Sequence, residues 1–339
     1  MTTPEPDRYD RTGHYFVQRR RRFGFLEDWR AKRREVGRGA EARLAHSPVR
    51  HADVGFLVGD EAGVPMRVID ARIVELAPGV STSTHRHAHD DLAFVVSGSG
   101  TTEIAGDRFS WARNDVLHIP SLSWHRHRAD SDARLLVITD APLVAGFGLS
   151  RLEDIGDAPP RADDPPLPTP PGTGSAYERE LAATAASWAE RRAATRHTRY
   201  ADVTLKPSPK GSRSALLVDG SLGFRTTGLS MALFEIAAGA AQSKHRHPGE
   251  AILYIVDGEG YSVIDGKRYD WKTGDAVIVH QYVWHQHFNG SSDRPATVIR
   301  MHMWESIIQM MQAAMDPVPL YEDEPGLEGR MAQALAEEG

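Results

Sequence analysis

The sequence predicts an all-β protein with peripheral helices, built as two successive domains of one kind. Three observations carry that prediction. A block of the chain recurs without a gap: His85 and His245, His87 and His247, Trp111 and Trp271, Asp115 and Asp275, and His125 and His285 all pair at one constant offset. An ungapped internal repeat on that scale means one fold used twice. Each copy is cut into short β-type runs by glycine-centred turns, the pattern of an antiparallel sandwich or barrel. Most of the 16 histidines fall inside the two copies, which needs a chemical explanation.

At 339 residues, with 40% hydrophobic and 25% charged residues, the chain has room for two domains with cores of their own. Its net charge of -6 gives no electrostatic reason for a nucleic-acid or anionic-membrane partner. The basic runs at Arg19–Arg22 and Arg30–Arg34 read as a solvated helix face. Cysteine is absent, so neither disulfides nor thiolate metal sites are available. No apolar stretch reaches the roughly 20 residues that span a bilayer, and the first residues lack an apolar signal region. The expectation is a cytoplasmic protein with no membrane partner.

In chain order, residues 1–50 form an N-terminal helical arm, with an amphipathic helix over 16–36. Residues 51–150 are the first barrel, with runs at Val68–Leu76, Asp91–Val96, Thr101–Ile104, Asp115–Ile119 and Arg134–Thr139. Turns at Pro78-Gly79, Ser97-Gly98, Ala105-Gly106-Asp107 and Arg113-Asn114-Asp115 separate them. Residues 151–198 are a proline-rich linker followed by an alanine-rich helix from Tyr177 to about Arg196. Residues 199–303 are the second barrel. Residues 304–339 are a helix stopped by Pro317 and an acidic tail. A barrel with sheet edges and an apolar outer face needs covering, so a homo-oligomer is expected, with the 16–36 or the 304–315 helix in the contact.

Side chains at i and i+2 of a strand share a face, so His85 and His87 project together, as do His245 and His247. His125 and His285 follow at the same distance in each copy, when an antiparallel meander has returned. Three imidazoles converging inside a barrel form a metal site with open positions, and two such sets at one spacing favour ligation over incidental core histidines. His127 and His287, next but one after the third ligand, are candidates to orient substrate or act as acid or base; a rim position is the competing reading. His89, His118 and His280, present in one copy each, read as structural, and Trp124 and Trp284 as core.

The Gly-x5-His-x-His-x10-Gly pattern and Pro120-x4-His125 resemble the two motifs of the cupin superfamily, over roughly residues 50–150 and 200–305. His-Arg-His, Trp-His-x-His and Ile138-Thr-Asp-Ala-Pro-Leu-Val further resemble gentisate 1,2-dioxygenase and its hydroxybenzoate- and hydroxynaphthoate-cleaving relatives. The resemblance implies two tandem double-stranded β-helix (jelly-roll) barrels, Fe(II) on three histidines and O2-dependent opening of a small aromatic substrate. The fourth position after the second histidine, a glutamate ligand in many cupins, holds Asp91 in one copy and Ala251 in the other. Glu250, next to that position, should face away by strand parity. The arginine that the gentisate family places in the following strand, to hold a substrate carboxylate, is Ala93 or Leu253 here.

The sequence therefore points to a dioxygenase for an aromatic compound with adjacent oxygen substituents. The alternatives are a non-O2 cupin isomerase, lyase or decarboxylase using Mn, Ni or Zn, and a non-catalytic binding protein. Asp91, a third candidate catalytic residue, either ligates or stands near the open positions, and an anion there would weaken binding of an anionic chelator. Ala251 leaves that space apolar, with Ile252, Leu253 and Tyr254 expected to line a pocket, so the second barrel is favoured for chemistry.

Overall fold

The structure, a computed structural model, describes residues 31–303 other than 49, 163–171, 173, 209, 248 and 282, together with residues 322–323. The expected 304–315 helix and residues 16–30 of the expected 16–36 helix lie outside the described residues; residues 31–32 are helical, and the chain leaves the helix before Val36.

Each half is a pair of antiparallel sheets. In the first, a seven-stranded sheet runs in the order His197–Thr198, Val116–Ile119, Asp91–Ser97, Ala133–Thr139, Asp70–Leu76, Ala52–Val58 and Ala45–Ser47. Facing it is a five-stranded sheet of Leu152–Asp154, His85–His87, His125–Ala129, Ser99–Ile104 and Asp107–Ala112. The second half repeats this arrangement, and His245 pairs with His285 as His85 pairs with His125. The duplication is thus kept strand for strand.

Period-two alternation sorts the apolar residues of the seven-stranded sheets into two cores. From Asp91–Ser97, Ala93 and Val95 enter the barrel, and from Ala251–Asp257 so do Ala251, Leu253 and Ile255. The opposite face supplies Leu92 and Phe94 in one copy and Ile252 and Tyr254 in the other, to one cluster shared by both halves. The barrels therefore pack sheet to sheet through a continuous apolar layer. Ile252 and Tyr254 belong to that layer and not to a pocket, which corrects the sequence expectation; parity leaves only Leu253 facing inward.

Glycine is required where the duplicated tryptophans pack. A Cβ on Gly100 would meet the Trp111 ring and the Arg128 carbonyl, and one on Gly260 the Trp271 ring and the Phe288 carbonyl.

The segment ahead of each barrel crosses to the other barrel. Val36–Gly37 pairs with Ala276–Val279 of the second half, and His197–Thr198 with Val116–Ile119 of the first. The duplicated aspartates receive these arms: Arg38 Nη1 and the Gly39 amide donate to Asp275 at 2.8 and 3.0 Å, and the Tyr200 amide donates to Asp115 at 2.8 Å. The described part of the arm is helical at residues 31–32 and continues as two strands and a 3₁₀ turn. Beyond residue 150, Leu152–Asp154 completes the first barrel by pairing with His85–His87. The linker helix spans Ala176–Ala193, opened by a Ser175/Glu178 capping box.

Candidate metal centres

The described residues contain two groups of three buried histidines whose ring nitrogens lie within 4.8 Å of one another: His85, His87 and His125, and His245, His247 and His285. Their backbone surroundings fix which nitrogen faces inward. His85 Nδ1 donates to the Ser83 carbonyl at 2.9 Å, His87 to His89 at 2.8 Å and His125 to Ser123 at 2.9 Å. In the copy, His245 donates to Ser243 at 2.9 Å, His247 to Gly249 at 2.9 Å and His285 to Val283 at 2.8 Å. A carbonyl only accepts, so all six rings carry a proton on Nδ1, and each ring that is neutral presents a bare Nε2.

In the second barrel two of these lone pairs, His245 Nε2 and His285 Nε2, face each other at 3.1 Å. Two acceptors at that distance repel unless a cation lies between them. Nitrogens bound cis on one ion at about 2.1 Å stand about 3 Å apart. In the first barrel His87 Nε2 is buried without a hydrogen-bond partner. The donor sets fit a divalent metal ion.

Desolvation keeps the sites neutral. Burial pushes His85 down to about 3, with the Arg50 cation adding to it, and His285 down to about 4. Burial also drives His125 and His247 well below the usual histidine range. Neutral imidazoles are the form that ligates.

The two centres differ in charge. In the first barrel Arg72 donates to Asp91 Oδ2 at 2.7 Å, and that oxygen lies 3.2 Å from His87 Nε2. Burial alone would raise the Asp91 carboxyl, but its His87 and Arg72 neighbours hold it well below the carboxylate range. Arg50 Nη1 stands 3.4 Å from His85 Nε2. Asp91 groups with His87 and His89, not with the three-histidine set. That third grouping makes a poor ion site. The His87 and His89 rings stack at 3.8 Å with 4° between their planes, so an ion between them lies out of both planes and off both lone pairs.

In the second barrel the equivalents of Arg72 and Asp91 are Ala232 and Ala251. Glu250 is buried beside Gln281 and the backbone of Arg67 and Val68, away from the histidines as parity required. The space opens into a cavity of about 690 Å³. The three histidines, His287, Ala251, Leu253, Phe234, Lys210 and Arg300 are among its walls.

His127 and His287 occupy matching places. His127 Nδ1 lies 2.8 Å from Thr102 Oγ1, which accepts from Trp111 Nε1 at 2.9 Å. His287 Nδ1 lies 2.7 Å from Ser262 Oγ, which accepts from Trp271 Nε1 at 3.0 Å. Both rings are buried, which argues against a rim role. Burial pushes His127 down to about 4 and His287 well below its usual value. The single-copy histidines His118 and His280 are structural as expected: His118 Nε2 meets Asp90 at 3.2 Å and His280 Nε2 the Arg34 carbonyl at 3.2 Å.

Sequence reasoning passed over Lys210, Arg300 and His302. Lys210 carried a signal, since the repeat pairs it with Arg50, another cation beside the imidazoles. Arg300 and His302 share a strand face by period two, but the residues that take their places in the sheet of the first barrel are Val137 and Thr139, so the repeat did not mark them. His302 lies opposite Ala251 in the sheet, its ring 6.5 Å from that of His247.

A cupin domain family model matches residues 72–139 and 232–302. The chain is 37% identical over 91 residues to 5-aminosalicylate 1,2-dioxygenase of Comamonas sp., a match covering 26% of this chain and 24% of that enzyme. A longer match, 26% identical over 290 residues, covers 77% of the chain and 71% of 1-hydroxy-2-naphthoate 1,2-dioxygenase of Nocardioides sp. (strain KP7). Among solved structures, salicylate 1,2-dioxygenase from Pseudoaminobacter salicylatoxidans (G106A mutant with gentisate) superposes with TM-score 0.58 at 16% identity, covering 96% of this chain and 98% of that one. An oxalate decarboxylase superposes equally well, at TM-score 0.58, 14% identity and 86% and 89% coverage. The fold alone therefore does not choose the reaction.

Proposed function

We propose that this chain, which belongs to the cupin superfamily with one cupin barrel in each half, is an Fe(II)-dependent dioxygenase that opens the ring of a small aromatic acid bearing a hydroxyl beside its carboxylate. Among its relatives are enzymes named for aminosalicylate, hydroxynaphthoate and gentisate, and each of those compounds carries adjacent oxygen substituents. The observation that carries the reading is the facing pair His245 Nε2 and His285 Nε2, with His247 completing the set. His245, His247 and His285 would hold the ion, which when bound supplies Lewis acidity and a meeting place for substrate and O2.

The rest of the work falls to the chain. Phe234 and Leu253 offer apolar walls for a ring. Three histidines without a carboxylate leave the open positions to a two-oxygen chelator. His287, neutral and held through Ser262, would accept the proton that a substrate hydroxyl loses on binding. Both atoms of O2 then enter the ring-opened product, so no further reductant is needed. His85, His87 and His125, with Asp91 close by, would hold a second ion whose role is stability. We further infer a homo-oligomer, which light scattering at micromolar concentration tests.

The test of function is O2 uptake by Fe(II)-loaded protein with a panel of hydroxylated benzoates and naphthoates. Stoichiometric uptake with loss of the aromatic absorbance supports the reading. Turnover without O2, with Mn, Ni or Zn, would replace it by an isomerase, lyase or decarboxylase.

A further inference from the structure

We propose that Arg300 is the specificity-determining residue of the second barrel, holding the carboxylate of the substrate with Lys210 as a second positive charge. The inference rests on the reading of that barrel as the substrate-binding one. Arg300 lies between Ala232 and Leu253 in the seven-stranded sheet, and Arg300 and Leu253 both line the cavity. Its Nε is buried without a hydrogen-bond partner, and none of the ion pairs among the described residues includes it. Burial pushes its guanidinium down to about 10. The Asp219 charge opposes that shift without forming an ion pair with it, and a desolvated cation with no paired carboxylate is costly, so a protein that keeps one has an anion to receive there.

The first barrel shows what a self-contained version looks like. The place of Arg300 in the sheet is taken by Val137, which lies opposite both Arg72 and Ala93, and the nearby cation, Arg72, is neutralised by Asp91 at 2.7 Å. The second barrel has moved the cation one strand over and deleted the carboxylate. Its cavity walls include Arg300, Lys210 and the three neutral imidazoles, with Asp202 as the one lining carboxylate among the described residues. With a divalent ion added, the site carries a large positive excess, which suits a substrate anionic at both its phenolic oxygen and its carboxylate. The guanidinium fork offers a carboxylate two parallel hydrogen bonds. It does from the strand beside Leu253 what an arginine at Leu253 itself would have done.

The experiment is equilibrium binding to protein loaded with Zn(II), which does not turn over, by calorimetry with salicylate and with neutral catechol. Arg300→Met should weaken salicylate by about 10- to 100-fold and leave catechol nearly unchanged. Arg300→Lys should fall between, and thermal stability should hold or rise because an unpaired buried charge is removed. Equal weakening of both ligands, or a large fall in melting temperature, would make Arg300 structural and overturn the proposal. His247→Ala separates the two levels of inference. If it abolishes salicylate binding while Arg300→Met does not affect it, the proposal for Arg300 fails alone. If neither variant affects binding, the second-barrel reading fails with it.

Discussion

The backbone amide of Thr227 in the second barrel donates to Asp90 Oδ2 in the first at 2.8 Å. The same buried carboxylate takes the Ser121 amide at 2.7 Å and Arg191 of the linker helix at 3.1 Å, beside His118. The placement is reciprocal, though without a matching hydrogen bond among the described residues. Glu250, the repeat counterpart of Asp90, faces the backbone of Arg67 and Val68, and Arg67 is the counterpart of Thr227. Each barrel thus sends the carboxylate that follows its His-x-His pair into the same turn of the other.

Removing this clamp should cost stability. Asp90→Ala leaves the Thr227 and Ser121 amides and the His118 ring without their acceptor, and should lower unfolding free energy by about 2–3 kcal/mol. Asp90→Asn, which keeps one acceptor, should cost less. Urea denaturation checks both; a loss under about 1 kcal/mol for Asp90→Ala would show that the apolar layer alone joins the barrels.

Asp140, which accepts from the Asp90 amide at 2.8 Å and from the Thr227 hydroxyl, gives a pH dependence. Burial, then the neighbouring Asp90 charge, raise its carboxyl to about 6. The unfolded chain ionises near pH 4 and the folded protein only near 6, so the folded state binds the extra proton between those values. Stability from this group is present at low pH and lost as pH rises through that window. Relative to Asp140→Asn, the native protein should lose about 1 kcal/mol between pH 5 and 7.5. Urea melts of both proteins at the two pH values measure this; a difference that stays constant or grows in favour of the native protein refutes it.

His287→Ala should lower kcat by about 10²–10⁴-fold with the metal content of the second centre unchanged. His127→Ala, at the matching place in the first barrel, should leave kcat close to native. A fall in metal content matching the loss of rate for His287→Ala would assign that ring to ligation.

Ala251→Asp recreates in the second barrel the carboxylate of the first. It should pair with Arg300 as Asp91 pairs with Arg72, raising KM for an aromatic acid by about tenfold or more while metal is retained. Steady-state kinetics with elemental analysis decide it, and an unchanged KM contradicts the charge argument.

The repeat made most of the architecture legible. A constant offset through His85, Trp111 and His125 required equivalent strands, and the i, i+2 spacing put each histidine pair on one face. Parity also placed Glu250 correctly. It would have excluded Ile252 and Tyr254 from the pocket, had their strand been recognised as buried on both faces. The crossing arms at Val36–Gly37 and His197–Thr198 were not legible, because such short strands have no periodicity and their partners lie in the other domain. Arg300 escaped for a different reason: it departs from the repeat, and an arginine in an apolar strand shows its purpose only when its neighbours prove to form no ion pair with it.

The central claim is that the second barrel does the chemistry, and a paired measurement tests it most directly. Turnover and metal content are determined together for His247→Ala and His87→Ala. The account predicts that His247→Ala abolishes O2-dependent turnover, while His87→Ala loses its own ion and some stability but keeps most of the rate per loaded second centre. Turnover lost in His87→Ala with the second centre loaded, and unchanged in His247→Ala, would contradict it.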